Sequence, residues 1–333
     1  MQERFDQRLR GIPAAATHAL VIRVAQIESF RGWWEGIPKP AAPLERRILA
    51  ATAAESAAES TRIAAGASPA EEAGYAEALR SVFDGYAGMP PSEGRLLALH
   101  AAIFRNSPAG RLHAGRYKTA AAASRRWNME PPALRAPAPL LVPAQMETLT
   151  AWFSSRIGGG EFHPLLVVAS YVLEFLAIRP FSDGNRRMGR LLTNLLLLRC
   201  GHGYLRCASL EKAVLGIWSE YYLALRKSQA SRNQPRPDIS PWLLAFLDSL
   251  IVQQRSAREE IGRLPDETRL SENQMGVLAI AARDGEVTNR KAAAELGIAR
   301  ETAKQTLNRL AALGALRRSG FGRATRYRLP ERG

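Results

Sequence analysis

Two stretches of this chain are almost wholly apolar, Leu165 to Ile178 and Leu191 to Leu198. They predict two core helices joined by a polar turn. Upstream, Leu20, Ile22, Val24, Ile27 and Phe30 fall mostly at helical spacing and are followed by Trp33 and Trp34. These predict core contacts of a helical entry segment over residues 1–40, broken by G-I-P-K-P. An alanine-rich helix is expected from about Leu44 to Ile63, and further helices between Ser68 and Arg105. In the latter, Leu96, Leu97, Leu99 and Ile103 lie near one face, and His100 reads as a helix histidine with its hydrogen bonds met rather than a ligand. Another helix is expected from Val142 to Arg156. Between these, Arg111 to Pro143 has a different character. Its G-R-Y-K-T, R-R-W-N-M-E-P-P and proline-rich stretch predict a short hairpin followed by an irregular loop.

The C-terminal part follows a linker that starts near Arg263. It predicts helices at Ser271–Ala282, Asn289–Leu296 and Arg300–Leu313, then a hairpin over Ala315–Leu329. Ser271 and Thr288 are good N-caps, and Gly297 suits the turn of a helix-turn-helix. Five arginines and no acid lie between Leu316 and Leu329.

Composition adjusts this picture only in part. At 333 residues the chain can bury a full core and suggests about two domains. Abundant alanine and leucine with few aromatics favour helices. The formal net charge of +15 points toward a polyanionic partner, although an arginine-rich compositional bias gives the same balance. Cys200 and Cys207 make neither a metal cluster nor a disulfide framework and fit a reducing cytosol. The charged N-terminus shows no secretory signal, and the longest apolar runs are shorter than the ~18 residues of a membrane span. A cytoplasmic location with no membrane partner is therefore expected.

The chemistry concentrates in the turn between the apolar helices, Arg179 to Arg190, which reads R-P-F-S-D-G-N-R-R-M-G-R. A helix start exposes unpaired N–H groups and the positive end of the macrodipole, which suits a phosphate. Gly184 permits the close backbone approach such a loop needs, and Asp183 can hold a hard cation bound to the same phosphates. The plainer alternative is a Pro-Gly turn with solvated arginines.

This stretch resembles the signature of the Fic family, H-P-F-x-D/E-G-N-G-R-x-x-R. Pro180, Phe181, Asp183, Gly184, Asn185, Arg187 and Arg190 match it. Arg179 stands in place of the histidine that is the family's general base, and Arg186 in place of its second glycine. The resemblance covers roughly residues 40–250 and is strongest over 163–247. It implies a mainly α fold: a Fic-type helical bundle over residues 41–262, with a short β-hairpin flap at about 115–131, after an N-terminal helical segment over 1–40. The flap residues Tyr117, Lys118 and Thr119 would align a target protein by strand addition, unless this is a surface hairpin of no special role. The family's inhibitory pattern S/T-x-x-x-E-G/N has its nearest match at Ser60–Gly66, with Ala64 at the glutamate position. The family's tyrosine-pair helix walls the nucleotide-base pocket, which assigns Tyr221 and Tyr222 there, with one of the two expected to be buried. His163 matches the opening of the preceding helix, about 20 Å from the loop, and is a poor substitute base. His18, His100, His113 and His202 also lie outside the motif.

Residues 263–333 resemble a winged helix-turn-helix. Arg300, Thr302, Lys304, Gln305 and Asn308 are placed to reach base edges of double-stranded DNA, and Arg317, Arg318, Arg323 and Arg326 to reach phosphates. A dimerisation or docking role is the alternative.

In a Fic enzyme that transfers AMP, the histidine takes the proton of the target hydroxyl, the loop and arginines hold the triphosphate, and the acid holds Mg²⁺. Gly184, Asn185, Arg187 and Arg190 keep the phosphate-holding positions, with Arg186 as an added cation, and Asp183 keeps that of the Mg²⁺. Arg179 cannot act as a base near neutral pH. If the family's second glycine sits at positive φ, Arg186 is strained by about 1 kcal/mol. Three readings follow: a protein that binds ATP or another phosphate ligand without efficient transfer and passes its ligand state to the DNA-binding unit; a transferase with another base; or a DNA-binding regulator with a relic Fic domain. A homodimer is expected, since winged-helix regulators often read two half-sites.

Overall fold

In a computed structural model of the chain, the two apolar runs form α7 (Pro164–Ile178) and α8 (Asn185–Arg199). The structure describes residues 3–37, 40, 42–64, 67–120, 136–263, 270–320, 322 and 325–330, with only the backbone at 42, 43, 64 and 233. Twelve of the fifteen residues of α7 are buried, as are all of those from Arg187 to Leu198 in α8. Helices this apolar have no face to offer water, so the rest of the N-terminal bundle must wrap them.

The remaining helices of this part are α1 (Glu3–Arg10), α2 (Ala14–Gly36), α3 (Ala42–Ala64), α4 (Pro69–Gly85), α5 (Glu93–Phe104), α6 (Val142–Arg156), α9 (Leu210–Gly216), α10 (Trp218–Ala230) and α11 (Ser240–Arg263). Helices α1, α6 and α10 pack on α7, while α4 and α9 pack on α8. Large side chains seal the contacts. Trp242 is fully buried and its indole N–H donates to Ala169 O at 2.8 Å. Trp152 is fully buried and donates to Asp6 Oδ1 at 2.8 Å, which ties α1 to α6. Helix α7 starts in a manner legible from H-P: the His163 ring accepts the Leu165 N–H, and Pro164 takes a position that needs no donor.

The chain divides into two compact units, residues 1–34 with 51–258, and residues 35–50 with 259–333. The second contains α12 (Glu272–Asp284), α13 (Asn289–Leu296) and α14 (Arg300–Ala312), followed by the antiparallel strands β1 (Arg317–Ser319) and β2 (Arg326–Arg328). Ser271 forms a capping box with Gln274, Thr288 caps α13, and Gly297 ends α13 in the left-handed conformation. Val277, Val287, Ala303, Leu307, Leu310 and Tyr327 form its core. Backbone hydrogen bonds between Val287 and Tyr327 join the strand pair to the turn after α12.

This hairpin is the only sheet among the described residues. The hairpin expected at about 115–131 is not seen in its described part. Residues 115–120 form no strand, and 121–135 lie outside the described residues. Gly115, in the left-handed conformation, ends a run of turns there.

Leu307 is wholly buried, so Leu307→Ala is expected to destabilise the C-terminal unit by about 2–5 kcal/mol. Denaturant titration followed by α-helical circular dichroism checks this.

Candidate functional site

The loop from Arg179 to Arg190 is shaped by two left-handed residues. Arg179 ends α7 at φ 50° and ψ 63°, the only non-glycine residue with positive φ among those described. The conformation costs a residue with a Cβ on the order of 1–2 kcal/mol. Gly184, at φ 76°, is the N-cap of α8. A Cβ on Gly184 would stand 2.7 Å from the Phe104 ring, so glycine is required there by both angle and space. Between them, Asn185 closes the turn twice: its Oδ1 accepts the Phe181 N–H at 2.9 Å and its Nδ2 donates to Phe181 O at 2.8 Å. No side chain caps α8, which leaves its start without a side-chain acceptor. Arg186 lies within that helical turn. The strain expected at this position does not arise, because α8 begins one residue earlier; the strained arginine is Arg179.

His100 braces the loop from beneath. Its Nδ1 accepts the Gly115 N–H at 3.0 Å, so the Nε2–H donates to Asp183 O at 3.1 Å. Burial, the largest influence, lowers its pKa to about 4, which keeps the ring neutral. Phe181 is stacked on it, with centroids 3.8 Å apart and planes 7° off parallel. His100 is thus a support rather than a base.

The four arginines have different fates. Arg187 is buried, its Nη1 2.7 Å from Glu71 Oε2 of α4 and its guanidinium 4.8 Å above the Phe104 ring. Ser107 donates to the same Glu71 carboxylate at 3.0 Å. Arg190 is also buried, and its Nη2 donates to Ser60 Oγ at 2.6 Å. Behind it, Tyr75 donates to the wholly buried Glu211 at 2.5 Å. Neither Glu71 nor Glu211 was read from the sequence as part of this site, and Ser60 entered only as the first residue of the compared inhibitory pattern. Glu71 left a trace in the sequence, as the third helical residue after the N-cap Ser68. Ala64, at the compared inhibitory position, closes α3, and its side chain lies outside the described residues.

Arg186, by contrast, leans over the Tyr222 ring at 5.7 Å and lines a narrow cleft. Arg190, Trp218, Tyr221, Tyr222, Gly189 and Leu176 are among its other walls. Trp218 and Tyr222 stack, 5.6 Å apart and 17° from parallel. Both tyrosines of the pair are buried, where one had been expected to be, since each packs an aromatic neighbour: Tyr221 meets Trp242 at 4.9 Å. Trp218 was missed, although its spacing of four from Tyr222 puts both on one helix face.

Asp183 is exposed, its side chain at 64%. Its Oδ1 accepts the Gly184 N–H at 2.6 Å, and Oδ2 stands 3.9 Å from Arg187. Among the described residues no group of three His, Cys, Asp or Glu is placed to hold a metal ion. One exposed carboxylate beside an uncapped helix start nevertheless fits Mg²⁺ carried in on phosphates, the usual arrangement for that ion.

Lys118 is the flap residue that meets the loop. Its backbone N–H donates to Pro180 O at 2.9 Å and its Nζ to Ile178 O at 3.2 Å. Burial, followed by the charge of Arg179, lowers its pKa to about 8. Tyr117 lies 5.8 Å from the Phe181 ring, and Thr119 is exposed.

On the C-terminal unit, Arg300, Thr302, Lys304 and Gln305 are exposed on α14, and Arg317 and Arg318 on β1. Asn308 is exposed, but its Oδ1 accepts the Tyr327 hydroxyl at 2.9 Å. Arg326 is half-buried, 3.3 Å from Glu286, which also receives Arg328 at 2.7 Å. Arg323 lies outside the described residues. The two cysteines are free, and burial raises the Cys200 thiol to about 11. No helix among the described residues is long and apolar enough to cross a membrane.

The Lys118 amine sets a pH dependence. An unfolded lysine stays protonated to its ordinary value of 10.5, whereas the folded one loses its proton near 8. The unfolded state therefore binds more protons between these values, and stability from this group rises with pH across that window. Lys118→Met is expected to flatten the rise, as read from denaturation midpoints at pH 7.5 to 10.

The sequence model of the Fic/DOC family matches residues 90–197. Among solved structures, a Fic family protein from Desulfovibrio desulfuricans G20 is similar at 22% identity, with a TM-score of 0.52, over 95% of this chain and 97% of that one. A Fic domain containing signaling protein from Bacteroides thetaiotaomicron VPI-5482 is 18% identical, with a TM-score of 0.52, over 71% of this chain and 98% of that one. Fic-1 (aa134–508) from C. elegans is 16% identical, with a TM-score of 0.51, over 75% of this chain and 72% of that one. At such identities the structures speak for the fold alone. The family match spans α5 to α8, with the His100 brace and the loop between the apolar helices, and on that evidence this chain carries a Fic domain of the Fic/DOC family.

Proposed function

We propose that the chain binds a nucleotide or another phosphate-bearing ligand at the start of α8, with the base in the cleft beside Tyr222, and transfers AMP poorly or not at all. The observation that carries this reading is the contrast between the two ends of the loop. The α8 end keeps an open helix N-terminus, Gly184 in the left-handed conformation, an exposed Asp183 and the cleft-lining Arg186. The α7 end has Arg179, a guanidinium that holds its proton at neutral pH. Asp183 and the phosphates would hold Mg²⁺, which supplies charge neutralisation on the transferring group. Arg186 and Arg190 would meet the phosphates from the cleft side. Arg187 joins them only if Glu71 releases it.

The exposed faces of α14 and β1 support double-stranded DNA as the partner of the C-terminal unit, with the Fic domain as its ligand sensor. Tyr117, Lys118 and Thr119 would receive a protein target, and two copies of the chain would read two half-sites. Localisation in the cytoplasm accords with the two free thiols.

Active transfer with a changed base is a second reading, favoured by one observation. The buried Lys118 amine lies within the electrostatic reach of Arg179 and titrates near 8. Labelled AMP incorporated from ATP by the wild type and lost in Lys118→Met would support it.

Calorimetry on the full chain with ATP and Mg²⁺ should show binding that Arg186→Ala weakens by about tenfold, the worth of one charge-assisted contact. Absence of heat at millimolar nucleotide would remove the ligand-binding reading. In the same preparation Arg179→His should raise AMP transfer by about 10²–10⁴, the usual contribution of a general base.

DNA affinity should fall steeply with salt. Arg318→Ala is expected to reduce the slope of log K against log salt by about 1. Undiminished binding by a chain lacking residues 264–333 would move the DNA site elsewhere.

A further inference from the structure

The cleft beside Tyr222 is nearly shut. Its free volume is about 20 Å³, room for about one water. Pockets that enclose a small-molecule ligand run to ~300–1,000 Å³. A nucleotide base therefore enters only when one of the walls gives way.

Most of the walls are fixed. A Cβ on Gly189 would stand 3.0 Å from Leu176 Cδ2, so α7 and α8 already close tightly at that level. Arg190 is buried and held by Ser60 Oγ at 2.6 Å. Tyr221 is buried against Trp242. The Tyr222 ring is crowded by three neighbours: Trp218 at 5.6 Å, Arg226 at 5.8 Å and Arg186 at 5.7 Å. A base that stacks on Tyr222 has to displace one of them. Trp218 and Arg226 belong to α10 itself, one turn on either side of Tyr222, and move with it. Arg186 comes from α8, is half-buried and reaches the ring on a long flexible stem. It is the neighbour that can leave.

The same residue has a better partner within reach. Arg186 is the second residue of α8, beside the helix start and the exposed Asp183. A cation–π contact at a partly exposed ring is weaker than a charge-assisted hydrogen bond to a phosphate.

We infer that Arg186 gates the cleft and thereby sets its specificity. Over Tyr222 it closes the space; drawn onto a ligand's phosphates, it opens that space to the base. The inference rests on the reading of the α8 start as a nucleotide site. Base and phosphates are then recognised together, because a nucleoside brings no phosphate to draw Arg186 off the ring.

Calorimetry in Mg²⁺ on the full chain and its Arg186→Ala variant tests this, with ATP, adenosine and inorganic tripolyphosphate as probes. The variant should bind adenosine about fivefold more tightly than wild type, since the gate is gone. It should bind tripolyphosphate about tenfold more weakly, since the phosphate contact is gone. A side chain that only supports the fold would weaken both, and a plain phosphate contact would leave adenosine unchanged. Wild type that binds ATP, with adenosine no tighter in the variant, overturns the gate and leaves the nucleotide reading standing. No binding of any probe by either protein overturns both. Should Arg186→Ala fold poorly, a crystal structure of wild type with ATP and Mg²⁺ decides the matter. The Arg186 guanidinium on the phosphates and the base against Tyr222 uphold the gate, whereas a guanidinium still over Tyr222 refutes it.

Discussion

The Fic domain depends on the burial of α7 and α8, two helices with almost no face left for water. Their apolar length obliges the other helices to enclose them, and it obliges every polar group of the connecting loop to find its partner inside the protein or at the one opening left. The loop solves this with few residues. Asn185 takes both backbone groups of Phe181, the His100 ring carries Asp183 O, and Lys118 receives the end of α7 through Ile178 O. The carboxylate of Asp183 is left outward, beside a start of α8 that no side chain caps. What the core cannot satisfy is thus left at the opening of the loop.

The arginines show how packing reassigns charge. A guanidinium is always charged, but its value to a ligand depends on what already neutralises it. Arg187 is held by Glu71 in a site largely shut from water, so a phosphate has to compete with a carboxylate for it. Arg190 serves a buried hydroxyl and borders the cleft at the same time. Arg186 stands in the cleft over an aromatic ring. Arg179 sits in a conformation that costs energy for any side chain but glycine. An arginine in the left-handed conformation thus stands at the head of the loop.

Much of the framework was legible from local pattern. The helix over Val142–Arg156 and that over Asn289–Leu296 have the ends read from the sequence, and Ser271 and Thr288 cap as their residue types require. These features depend on neighbours within a turn, where propensity and capping act. The motif loop was legible for the same reason, since glycine, proline and asparagine at close spacing announce a turn. The flap was less so: residues 115–120 carry no strand, and what orders Lys118 is Pro180, remote in sequence.

Alone, the sequence determined the helical class, the apolar pair, the polar turn between them and the arginine at position 179. Tertiary structure decided which charges are available. Glu71 lies 116 residues from Arg187, and Ser60 lies 130 from Arg190. Trp218 completes the cleft only once α10 is laid against α7. No periodicity encodes such pairings, because they arise when separate helices bury their apolar faces on a common core and the polar groups carried along must settle with whatever they meet.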